Sequence, residues 1–121
     1  MMEYFYNNQA QQFASVSVPK ELLTGEDFSS LSPAAKMMYA VLLAKMTEAK
    51  KNSWIDDKNR VYILYPLRKL EKDINYSRHT IIDCMNELEE FGLISKLQEK
   101  GKPSRIYVKN FNRRCRFQLI G

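Results

Sequence analysis

Apolar residues recur along this chain at two spacings, and the switch from one to the other lays out its elements. Between Pro33 and about Glu48, Ala35, Met38, Tyr39, Leu42, Leu43 and Met46 stand three and four residues apart, the period of one buried helix face. Ser32-Pro33 starts this helix, because serine caps free amides and proline at the first position forfeits no hydrogen bond. Lys36, Lys45 and Glu48 are expected to face water. A second helix is predicted over Leu67–Ile74, with Leu67, Leu70 and Ile74 inward and Arg68, Lys69 and Lys72 outward. After an Asn75-Tyr76 turn, Ser77 caps a third, Arg78–Phe91, that buries Ile81, Cys84, Met85, Leu88 and Phe91. Gly92 ends it in the left-handed conformation that glycine adopts at little cost.

The other spacing is two. Ala14, Val16 and Val18 alternate with serines, so Phe13 to Val18 is expected to form a short edge strand that Pro19 stops. Val61–Tyr65 is β-branched and aromatic, a strand ended by Pro66. Leu93–Gln98 and Arg105–Lys109 flank a Lys/Gly/Pro turn, Glu99–Ser104, and read as a hairpin with a basic tip. Lys20–Leu23 suits one helical turn, and residues 49–60 read as a polar loop pinned to the core by Trp54 and Ile55. Helix, strand, two helices on a tight turn, then a hairpin describe an α+β, mainly α, winged helix-turn-helix with a C-terminal β-hairpin wing. Residues 13–111 form this domain, 1–12 an N-terminal arm, and 112–121 the start of a linker to an absent C-terminal domain.

At 121 residues, the chain has room for one core. No apolar run approaches the ~20 residues that span a bilayer, and no secretory signal is evident. The expected location is therefore the cytoplasm. Charge is uneven: residues 1–65 hold seven basic and seven acidic side chains, while 66–121 hold twelve basic and seven acidic, so the +5 excess lies wholly in the second part. A polyanionic partner would meet that part. Cys84, Cys115 and the single His79 lack zinc-site spacing. No base stands near Cys84 or Ser77, and Asp56-Asp57 and Glu89-Glu90 read as solvated surface pairs. No cofactor, metal or enzymatic activity is expected.

A helix that enters the major groove needs side chains able to bond base edges in its first turn. Ser77, Arg78, His79 and Thr80 stand there. Arg68, Lys69 and Lys72 before it, and Lys100, Lys102 and Arg105 on the wing, are the candidate phosphate contacts. Asp83, Glu87, Glu89 and Glu90 further along would be repelled by phosphates, which implies that this half of the helix tilts away from DNA.

The segments Val16-Ser-Val-Pro-Lys-Glu-Leu-Leu23, Leu31-Ser-Pro-Ala-Ala-Lys-Met-Met-Tyr39, Lys51-Asn-Ser-Trp54, Val61-Tyr-Ile-Leu-Tyr65, Glu87-Leu-Glu-Glu-Phe-Gly-Leu-Ile94 and Lys102-Pro-Ser-Arg-Ile-Tyr-Val-Lys-Asn-Phe111 resemble, in order and spacing, the N-terminal domain of replication initiator protein A (RepA) from plasmids of Gram-positive bacteria. Ser53 departs from the pattern, which has glycine before the tryptophan. The resemblance implies sequence-specific binding of double-stranded DNA at repeated sites of a plasmid origin, as a dimer, with host replication proteins engaged through the absent C-terminal domain. A transcriptional regulator of the same fold, or a winged helix used for protein contacts, remains an alternative. The unpaired edge of Phe13 to Val18 and the aromatic arm suggest a homodimer interface through Tyr4, Phe5, Tyr6, Phe13, Val16 and Val18.

Overall fold

The computed structural model describes residues 2–4, 6, 7 and 15–110. Five helices and one hairpin follow in the order α1 Lys20–Thr24, α2 Pro33–Lys45, α3 Ala49–Asn52, α4 Leu67–Ile74, α5 Arg78–Phe91, β1 Ile94–Leu97 and β2 Arg105–Val108.

Helix α2 starts where the sequence indicates, with the Ser32 hydroxyl accepting from the Ala35 amide at 3.1 Å. Ala35, Met38, Tyr39 and Leu42 are buried against Ile81, Met85 and Leu88 of α5, and Leu22, Phe28, Ile63, Leu70 and Ile106 complete the core. The expected loop at 49–60 begins instead as helix: α2 passes through a 3-10 turn, Met46–Glu48, into α3, which Ser53 ends at φ 58°. That left-handed backbone accounts for a glycine in the family pattern.

Three side chains expected elsewhere are relocated by packing. Lys45 is not in water; its side chain is 14% exposed, lies over the rings of Trp54 and Tyr65, and pairs with Glu48 at 3.2 Å. Its long aliphatic stem covers aromatic surface while its ammonium finds a carboxylate. Trp54 packs on the core as expected, but Ile55 is exposed. Leu67, at the open end of α4, is likewise exposed while Leu70 is fully buried.

Strands β1 and β2 pair antiparallel with Ile94 opposite Val108 and Leu97 opposite Arg105. The expected strand Val61–Tyr65 contracts to single bridges, Ile63 to Ile106 and Val61 to Ile55. On the opposite edge of this segment the Tyr62 amide donates to the Trp54 carbonyl at 3.1 Å. Strand β2 is thus held on both edges. In the described part of the expected N-terminal strand, Ser15–Val18 adopts no strand structure; Phe13 and Ala14 lie outside the described residues.

Asp56 is buried, contrary to its reading as a solvated surface acid. One carboxylate oxygen accepts from the amides of Lys58 (2.9 Å) and Arg60 (2.8 Å), the other from the Arg60 guanidinium (2.8 Å) and the Tyr107 hydroxyl (3.0 Å). Burial alone would raise its pKa; the bonds from Arg60, Lys58 and Tyr107 outweigh that and hold the carboxyl at about 2. The turn at 56–60 is thereby fastened to β2.

Candidate nucleic-acid interface

Helices α4 and α5 are joined by Asn75, Tyr76 and Ser77. Asn75 takes the left-handed conformation (φ 59°) that a short connection between two helices demands, and the Tyr76 hydroxyl donates to the Ala34 carbonyl at 3.3 Å, tying the turn to α2. Ser77 caps α5 as expected: its Oγ accepts from the Thr80 amide at 3.2 Å and donates to the Thr80 hydroxyl at 3.0 Å. These bonds occupy Ser77 and leave Thr80 half-buried. Arg78 and His79 stand free of the core, their side chains 57% and 87% exposed. Arg78 reaches Glu71 of α4 at 3.4 Å and His79 reaches Asp83 at 3.3 Å. Exposed contacts of this kind contribute little to stability and are readily exchanged for another partner.

The outward face of α5 extends further than its first turn. Ile82, Asp83 and Asn86 are exposed beyond Arg78 and His79. Ile82 and Asn86 were not picked out from sequence, although their four-residue spacing from Arg78 places them on its face. Glu87 is not on that face. It is half-buried, accepting from the Ser32 amide at 2.5 Å and the Ser32 hydroxyl at 2.8 Å. Its carboxylate sits at the N-terminus of α2, where the helix dipole favours negative charge. Glu89 is exposed but engaged by the Lys96 amide (3.3 Å) and ammonium (3.7 Å).

The cationic residues fall into the expected groups. On α4, Arg68, Lys69 and Lys72 are exposed; Lys69 pairs with Asp73 at 3.3 Å, and Arg68 and Lys72 have no acidic partner among the described residues. Asp73 also accepts from the Tyr65 hydroxyl, and that bond, followed by Lys69, lowers its pKa. On the hairpin, Lys100 is exposed without an ion pair among the described residues, and Lys102 reaches Glu99 at 3.5 Å. Arg105 is half-buried, its guanidinium 4.5 Å from the centre of the Tyr62 ring, so it belongs to the root of the hairpin rather than its tip. The tip is shaped by Gln98, which donates to the Lys102 carbonyl at 2.8 Å and accepts from the Ser104 hydroxyl, and by Gly101 at φ 77°.

Tyr4, Tyr6 and Val16 of the expected dimer interface are exposed and Val18 is half-buried; Phe5 and Phe13 lie outside the described residues. Cys84 is a buried free thiol whose pKa is raised, chiefly by burial. No cluster of three or more metal-ligating side chains occurs among the described residues, and none of their helices is long and apolar enough to cross a membrane. An apolar concavity of about 560 Å³, lined by Phe28, Met46, Phe91, Leu93 and Val108, carries only Arg60 and Lys109 as charged groups among its described lining residues.

Residues 14–119 match the family model of the replication initiator protein A (RepA) N-terminus. The chain belongs to this family. Solved structures resemble this RepA N-terminal domain over most of its length. One described as "N-Terminal domain of DNA binding protein" has a TM-score of 0.75 at 25% identity and covers 91% of this chain and 85% of that one. One described as "Structure of Rep-DNA complex" has a TM-score of 0.74 at 26% identity, covering 89% and 84%. A third, "Structure of MDR initiator", has a TM-score of 0.72 at 26% identity, covering 89% and 86%. No curated protein matches the chain.

Proposed function

We propose that this RepA N-terminal domain is a winged helix-turn-helix module that binds double-stranded DNA in a sequence-specific way at the repeated sites of a plasmid origin. The observation that carries this reading is the exposed start of α5, with Arg78 and His79 projecting from a capped first turn, in a domain that also exposes cations on α4 and on the hairpin. Helix α5 enters the major groove, and Arg68, Lys69, Lys72, Lys100 and Lys102 meet the phosphates on either side, with Arg105 at the wing root. The structural relative described as a Rep-DNA complex supports the choice of DNA as partner. The module binds and does not catalyse. It acts in the cytoplasm as a homodimer through the arm and the segment before α1, which would place two copies of α5 on one face of a duplex. Host replication proteins are engaged through a further C-terminal domain.

The test is anisotropy of a labelled origin duplex and a random duplex across a salt series. Affinity must fall steeply with salt on both, and Arg78→Ala must weaken the origin duplex about tenfold more than the random one, as loss of a base contact does. A flat salt dependence would leave protein contacts as the better account of the basic surface.

A further inference from the structure

The outward face of α5 carries an apolar side chain on the same side as Arg78. Ile82 is 41% exposed and lies outside the hydrophobic cluster, one helical turn beyond Arg78. One turn on, Asn86 is exposed, and its amide has no hydrogen-bond partner among the described residues. The other outward groups differ: Arg78 is engaged by Glu71 and His79 by Asp83. The centre of this face is therefore an apolar side chain beside an uncommitted amide, and α4 and the hairpin tip carry Arg68, Lys72 and Lys100, exposed and without an acidic partner among the described residues. Those cations complement a polyanion and not an apolar protein surface.

In the major groove only thymine offers a methyl group, and adenine offers the N7 acceptor and N6 donor that an asparagine amide matches with two bonds. We infer that Ile82 and Asn86 are specificity-determining residues that select A·T pairs at the middle of the α5 footprint, Ile82 against a thymine methyl and Asn86 against an adenine edge. This rests on the major-groove reading above. It adds which bases are chosen and which side chains choose them.

The experiment takes the full 121-residue chain, selects duplexes from a randomised pool, and compares the selected duplex with versions carrying uracil for thymine or 7-deazaadenine for adenine. The wild type is expected to lose about fourfold in affinity on uracil substitution, the worth of one buried methyl, and about tenfold on loss of adenine N7 at the contacted position. Ile82→Ala should bind thymine and uracil duplexes equally, and Asn86→Ala should ignore the 7-deaza change; both positions are exposed, and circular dichroism verifies the fold. If Ile82→Ala keeps the uracil penalty, or the wild type shows none, the assignment is overturned. A pool from which the wild type enriches no sequence would overturn the duplex-specific reading itself, a failure distinct from enrichment that is indifferent to Ile82 and Asn86.

Discussion

Glu87 offers a direct contest between two accounts of one side chain. As an exposed acid on a DNA-binding helix it would repel phosphate, and its removal would tighten binding. The structure makes it a cap: its carboxylate takes both the amide and the hydroxyl of Ser32 at the start of α2. A hydrogen bond to a charged acceptor contributes about 1.5–3 kcal/mol when well shielded, and a carboxylate at a helix N-terminus adds about 0.3–1 kcal/mol. Because the site is half-buried, the lower ends apply, and Glu87→Ala should cost about 2 kcal/mol, with Glu87→Gln losing roughly half of that. For a domain of this size ~1 kcal/mol shifts Tm by about 4 °C, so thermal unfolding followed by circular dichroism should fall by ~8 °C for the alanine variant. Duplex affinity at 15 °C, where the variant is folded, should be unchanged. A Tm within about 2 °C of wild type together with tighter DNA binding would refute the capping argument.

Three further outcomes are expected. With its pKa held at about 2, the ionised Asp56 carboxylate stabilises the fold at and above the ordinary carboxylate range, and that contribution disappears as pH drops from about 4 toward 2; Asp56→Asn, followed by urea unfolding at a series of pH values, should be less stable at neutral pH and show a shallower slope in that window, the remainder coming from groups such as Asp73, whose pKa is also lowered. Neutralising Lys100 and Lys102 together should weaken all duplexes alike and flatten the salt slope by at most about two units, whereas an unchanged slope would place the hairpin tip off the DNA. Ser53→Gly should raise stability by about 0.5 kcal/mol in thermal unfolding, because relief of a left-handed serine, ~1–2 kcal/mol, exceeds the entropic penalty of glycine, ~0.5–1 kcal/mol.

What could be read from sequence was whatever periodicity and capping encode locally. The α2 start at Ser32-Pro33, α4, the α5 limits at Ser77 and Gly92, and the buried face of α5 all follow from neighbouring residues, and all stand in the structure. Misread residues owe their environment to partners far along the chain. Glu87 is satisfied by Ser32, Asp56 by Tyr107 as well as by its own turn, and Lys45 by two aromatic rings that no local pattern joins. Residues 61–65 have strand composition, but a ladder needs one neighbour along its whole length, and here Val61 and Ile63 bridge to different segments, Ile55 and Ile106. At the candidate interface the capped first turn of α5 was legible. Ile82 stands on the face of Arg78 by its four-residue spacing, a signal present in the sequence that a search for polar and charged side chains alone passes over.

Fastening β2 on both edges affects how fast a partner can be met. Ile63 grips one side of the strand, β1 the other, and the Tyr107 hydroxyl anchors it to Asp56. A hairpin rooted in this way arrives at a surface already ordered, so little conformational freedom remains to be surrendered on contact. Docking then approximates the meeting of rigid bodies, with adjustment confined to the few residues between Glu99 and Ser104. Association steered by the basic surface should depend on ionic strength far more than on any rearrangement within the domain.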